Sequence, residues 1–215
     1  NVSTVELSTF TMTGGTSGTL TITTGAWTLS GNWNSSGAGT MFTQGTGIHT
    51  FNATATITLL SSDNTFDDLT ISGGTATLAT NVVVANALTI SGGTFAKSTF
   101  TVNTTSLTMS GGDLTSSSGS MTVTGNVNIS SVASAIDLGS ETWTVSGSWT
   151  NASTDATWDA GTGTVTFDSS SNQTMTFAGT NLSEDECNNV TFQSTSGLDQ
   201  SFTLATRGLR WGGML

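Results

Sequence analysis

The chain has 215 residues and a formal charge of −11, with 14 acids set against Lys97, Arg207 and Arg210. That balance argues against a nucleic-acid partner, because phosphate binding needs clustered Lys and Arg. It is compatible with calcium, with a cell exterior or with solubility alone. No apolar run is long enough for a membrane-spanning helix, and Gly and Ser interrupt every window in which a helical period could develop.

In chain order, the first element is Phe10 to Gly15, FTMTGG. A Trp-bearing segment, Ala26 to Trp33, follows. The sequence LTISGG then begins at Leu69 and again at Leu88, and LTMSGG begins at Leu107. These three leucines are evenly spaced. Self-similarity at a fixed period, here roughly 20, marks a solenoid, in which each coil buries its apolar face against its neighbours. Between these landmarks, apolar residues alternate with Thr, as in Leu20-Thr-Ile22, Thr54-Ala-Thr-Ile57, Met121-Thr-Val123 and Val165-Thr-Phe167. That alternation predicts half-buried strands with Thr on the outer face. In each coil Leu and Ile point inward, Ser-Gly-Gly turns, and Phe95, Phe100 and Val102 return to the core. Leu107 is expected above Leu88, Met109 above Ile90 and Gly111 above Gly92. The expected fold is therefore all-β: a parallel β-helix (β-solenoid) with coils of about 19 residues, about eleven of them in a rod of roughly 50 Å at ordinary strand spacing. Open strand edges at its ends would recruit further copies of the chain.

A longer repeat overlies the short one. Ala26 to Trp33 matches Thr142 to Trp149, and the same offset pairs Phe51 with Phe167. After five added residues, Phe66 to Ile71 matches Cys187 to Phe192, and Leu78-Ala-Thr80 matches Leu204-Ala-Thr206. Residues 1–215 thus read as one continuous solenoid with two related Trp-containing blocks, 26–90 and 142–215. The chain opens at Asn1 inside a repeat and stops at Leu215 in mid-strand, which reads as part of a longer protein. The order of a Trp strand (Trp143 to Trp149), a G-T-G-T-V-T-F strand (Gly161 to Phe167), a Q-T-M-T strand (Gln173 to Thr176) and Cys187 to Phe192 resembles repetitive β-helix surface proteins of bacteria and archaea, adhesin-like or filament-forming. The resemblance implies a parallel β-helix in a secreted or surface-anchored protein and carries no catalytic signature.

Few residues suggest chemistry. His49 is the sole histidine, so a Ser-His-Asp triad would have to use it, yet it lies in an alternating strand and its counterpart is Val165; it reads as a surface or ladder residue. Cys187 has no cysteine partner in the chain and aligns with Phe66, as a small buried hydrophobe would; its acidic neighbours disfavour a thiolate. Asp67 and Asp68 are the best pair for glycoside hydrolysis. They align with Asn188 and Asn189, which favours Asx residues that bond their own backbone. Glu184, Asp185 and Glu186 are weak calcium candidates, with Asp168 or Asp199 as further oxygen donors. A solvated acidic loop is the simpler reading, and no other cofactor is expected. The tryptophans Trp27, Trp33, Trp143 and Trp149 recur between blocks, which assigns them to core packing or subunit contact; Trp158 replaces Phe42 at a core position. Besides Asn1, candidate glycosylation sequons occur at Asn34, Asn52, Asn103, Asn128, Asn151, Asn172, Asn181 and Asn189.

The sequence therefore predicts a non-enzymatic extracellular or cell-surface solenoid, a subunit or segment of a filament, stalk or adhesin. Its partner would be itself, or the continuation of a longer chain, with surface glycans as possible targets. The alternatives are a polysaccharide-degrading β-helix and a carbohydrate- or ice-binding solenoid. The Thr pairs at Thr21/Thr23, Thr54/Thr56, Thr122/Thr124 and Thr174/Thr176 motivate ice binding, and their irregular spacing opposes it.

Overall fold

The computed structural model describes residues 4–12, 18–22, 24–37, 40–59, 65–130, 134–152, 157–159, 161–177, 186–195, 201–205 and 210–211. For 18–22, 40–44, 157–158, 186, 204–205 and 210–211 only the backbone is described.

Alternating Thr and apolar residues produce the expected strands, and the strands stack in parallel. The result is an all-β parallel solenoid of about 7 turns with coils about 22 residues apart. Each coil contributes one short strand to each of three faces. The face-one ladder runs Val5, Trp27, His49, Leu69, Leu88, Leu107, Val127, Trp149, Met175, Leu204. Face two runs from Phe10 through Trp33 to Ile57 and Leu78, then from Ala76 through Phe95, Leu114 and Ile136 to Trp158. Face three runs Phe66, Val84, Thr104, Val123, Val145, Phe167, Phe192. This ladder has seven rungs and that of face one has ten. Leu69, Leu88 and Leu107 form the inward stack that the repeat predicts, each fully buried. Each such side chain contributes about 1.5–3 kcal/mol by leaving water.

The expectation of uniform short coils is corrected. The exact repeat holds only from Leu69 through Leu88 to Leu107. The coils that carry Val5 to Trp27, Trp27 to His49 and Val127 to Trp149 are longer, and those from Trp149 to Met175 and on to Leu204 are longer still. Hydrogen-bonded partners one coil apart measure the change. Asp67 and Asn86 are separated by 19 residues, Asn126 and Ser148 by 22, Ser148 and Thr174 by 26, and Asn172 and Ser201 by 29. Among the described residues the face-one ladder has ten rungs, spanning roughly 43 Å at ordinary strand spacing.

The Ser-Gly-Gly corner has a steric cause. Gly74, Gly93 and Gly112 have φ of 62°, 69° and 72°. A Cβ on Gly93 would stand 2.3 Å from the Gly74 carbonyl oxygen, and one on Gly112 would stand 2.4 Å from that of Gly93. Both the left-handed backbone and the close stacking demand glycine. At this corner the register slips by one residue, so Gly111 lies opposite Ser91 rather than Gly92. In the middle of the molecule strand pairing runs on through the corners: the strands Val82–Ser98 and Val102–Ser116 each cross all three faces. Phe95 and Val102 are buried as expected, whereas Phe100 is only partly so.

The two Trp blocks match in sequence but not in position. Trp27 lies on face one and Trp143 on face three, where its register partners are Met121 and Val165. Trp33 lies on face two and Trp149 on face one. Phe51 and Phe167 are displaced in the same way. The offset between the blocks therefore corresponds to five coils and two further faces, and the second block is rotated by one face of the triangle.

Candidate functional site

His49 sits inside the face-one ladder between Trp27 and Leu69, fully buried. It is a ladder histidine in the core, not a surface one. Its ring packs against Trp27 (centroids 6.1 Å apart, 24°), Trp33 (5.3 Å, 89°) and Phe66 (5.0 Å, 57°). Burial pushes its pKa down to about 4, and a hydrogen bond to the Gly47 backbone only partly offsets this. The ring is therefore neutral at neutral pH, serving as a planar packing unit in an aromatic cluster.

Asp67 and Asp68 do not bond their own turn. The Asn86 amide donates to Asp67 Oδ1 at 2.7 Å, and the Ala87 N–H donates to Asp68 Oδ1 at 3.0 Å. Both bonds reach the next coil, 19 residues on. Desolvation, then the Asp68 charge, raises the Asp67 carboxyl above its ordinary value.

The same device recurs around the solenoid. Side-chain oxygens of Asn32, Asn81, Asn126 and Asn172 accept from the backbone N–H of Thr56 (2.8 Å), Thr101 (2.9 Å), Ser148 (2.9 Å) and Ser201 (3.0 Å). Asp113 accepts from Ala135 N–H at 3.2 Å. Each Asx residue satisfies a strand-leading N–H of the following coil, which the strand ladder leaves open. Their sequence signal is weak: an Asn or Asp just ahead of an alternating run.

The sequence reading missed one constellation altogether. Lys97, counted there only as charge, is completely buried, and its Nζ lies 2.8 Å from Glu141 Oε1, itself 1% exposed. Lys97 also donates to the Phe100 and Ser120 carbonyls. Burial raises the Glu141 carboxyl above its ordinary value; hydrogen bonds from Lys97 and Ser116, the Lys97 charge and Trp143 pull the other way. The pair spans three successive coils at the corner between faces two and three. No local pattern announces it, because its members stand two coils apart in the chain.

Of the remaining candidates, Cys187 is buried, in register with Trp211. Glu184 and Asp185 lie outside the described residues, and Glu186 is described only as a backbone partner of Arg210. Among the described residues no three His, Cys, Asp or Glu side chains converge as a metal site would require. Trp33, Trp143 and Trp149 are core residues, and Trp27 is half-buried against the core; the side chain of Trp158 lies outside the description. Asn52, Asn103, Asn128, Asn172 and Asn189 are exposed, and Asn34 is half-buried. Asn151 is 2% exposed and faces the core, where a glycan has no room. Asn181 lies outside the described residues.

The outer side of face one carries a column of like residues: Glu6, Thr28, Thr50, Thr70, Thr89, Thr108, Asn128, Thr150, Thr176. Beside it, the hydroxyls of Ser72, Ser91 and Ser130 reach carbonyls of the preceding coil at 3.3–3.4 Å. At its N-terminal end a cavity of about 340 Å³ is lined by Glu6, Leu7, Ser8, Thr28, Ser30 and Asn52. The Thr pairs singled out in the sequence do not share one face. Thr54/Thr56 belongs to face two, Thr122/Thr124 to face three and Thr174/Thr176 to face one; Thr23 lies outside the described residues.

Ladder, corner and inter-coil bonds together define a parallel β-solenoid protein. Compared with protein-family models, curated proteins and solved structures, the chain matches none of them. No helix among the described residues is long and apolar enough to cross a membrane.

Proposed function

We propose that this chain is a non-enzymatic extracellular structural protein, a β-solenoid subunit or segment of a cell-surface filament, stalk or adhesin. The observation that carries this reading is the use to which its polar residues are put. Asp67 and Asp68, the best candidates for acid–base work, each hold the next coil, as Asn32, Asn81, Asp113, Asn126 and Asn172 do. Groups so engaged support a rod rather than a reaction centre. The order of the repeats, similar to that of adhesin-like surface chains, supports the same reading. Copies of the chain, or further coils of a longer one, are the proposed partners.

Electron microscopy with light scattering tests it. The expected result is rods that lengthen end to end as concentration rises. Turnover of a polysaccharide that disappears in an Asp67→Asn, Asp68→Asn double variant would replace this reading with the enzymatic one.

The outward column favours a second reading, binding to a flat, uncharged, periodic surface such as ice or a crystalline glycan. Unequal coil lengths bring Thr28, Thr50, Thr70, Thr89 and Thr108 into register although their sequence spacing is irregular. Thermal hysteresis lost in a Thr70→Tyr, Thr89→Tyr variant that still folds would establish ice as that surface; no hysteresis in the unaltered protein would eliminate it.

A further inference from the structure

We propose that Lys97 and Glu141 condense to an intramolecular amide that covalently clasps three successive coils. The two groups are held as reactants. Nζ is 2.8 Å from Oε1, with side chains 0% and 1% exposed. Held in contact inside the core, the two groups have the proximity of an intramolecular pair. The Phe100 and Ser120 carbonyls accept from Nζ and fix its direction.

The step balances without a further reactant. A proton passes from the Lys97 ammonium to the Glu141 carboxylate, leaving an amine opposite a carboxylic acid. Burial raises the Glu141 carboxyl above its ordinary value, the direction in which it takes up a proton. The Nζ lone pair attacks the carboxyl carbon, and the C–N bond forms. A second Nζ proton moves to the hydroxyl, the C–OH bond breaks, and water leaves. Nothing is oxidised or reduced. Amide formation between separate molecules in water is unfavourable, but groups held in one geometry react at effective concentrations of about 10⁵–10⁸ M. Replacing two buried ions by one neutral amide also removes their desolvation cost. The link closes a loop through the Lys97, Ser120 and Glu141 coils, and such a loop narrows the unfolded ensemble as a disulfide does. This inference does not depend on the surface role proposed above.

Lys97 is the one lysine in the chain, and the other tryptic sites follow Arg207 and Arg210. The test takes the folded protein to constant mass and then denatures it. The expected result is an intact mass lower by one water, no tryptic cleavage after residue 97, and, after a further digest with chymotrypsin, a branched peptide joining Lys97 to Glu141. Labelling of the denatured chain would then find the N-terminal amine alone. Lys97→Arg keeps a cation beside Glu141 but forms no amide, so it should show full mass and cleavage after residue 97. Should that variant fail to fold, the unaltered protein still decides. Full mass with complete cleavage after Lys97 overturns the proposal and leaves a buried ion pair.

Discussion

The middle of the solenoid and its flanks solve the same packing problem differently. Between Leu69 and Val127 the coils are short, and like residues stack on like: Leu on Leu, Ile90 on Ile71 and Met109 on Ile90. Toward either end the coils lengthen, most of all on the C-terminal side, where Asn172 bonds Ser201 across 29 residues against 19 between Asp67 and Asn86. There the aromatics gather: Trp27, Trp33, His49 and Phe66 on one side, Trp143, Trp149 and Phe167 on the other. Longer coils and larger core side chains occur together, and a close-packed interior tolerates few voids around such side chains.

Four experiments would break or sharpen this contrast. The largest effect is expected in the flanks: Trp143→Ala should lose about 3–5 kcal/mol by denaturant unfolding, the usual cost of emptying a buried aromatic site. A loss no greater than that of Leu88→Ala would undo the link between coil length and aromatic filling.

Acid should separate the two blocks next. The His49 pKa is lowered to about 4, below its unfolded value, so the unfolded chain binds the proton more readily. Stability is then complete above about 6.5 and declines as pH falls from there toward 4, by roughly 3 kcal/mol. The matching residue of the other block is Val165. Hydrogen exchange near pH 4 should therefore open the coils around His49 first, and His49→Leu should abolish that difference. Equal protection of both blocks would contradict it.

In the middle, Gly93→Ala should cost at least about 1–2 kcal/mol, the penalty of a left-handed backbone, with the contact to Gly74 adding to it. Thermal melting checks this, and an unchanged midpoint would show that the corner relaxes. The smallest effect is expected from Asp68→Ala, which removes a single inter-coil bond to Ala87; about 1 kcal/mol is typical. Faster exchange confined to the Ala87 amide would confirm its local reach.

The stacked leucines and the Ser-Gly-Gly corner were legible because they are local and repeated. A period-two alternation determines which residues face inward, and a one-residue slip would expose the whole set. The all-β class, the parallel stacking and the burial of Cys187 follow from the same logic. What only the tertiary structure decided is whatever depends on how many residues separate one rung from the next. Coil length sets which face a segment reaches, so the second Trp block lands one face away from its counterpart, and the Thr pairs chosen by motif scatter over three faces. The Asx bonds between coils and the Lys97–Glu141 pair likewise form only when distant coils are superposed. The sequence by itself determined which residues of a coil face inward and where its glycine corner falls, because alternation and glycine sterics act within a few residues. Stacking determined which polar groups meet, because that depends on the sum of all the loop lengths between them.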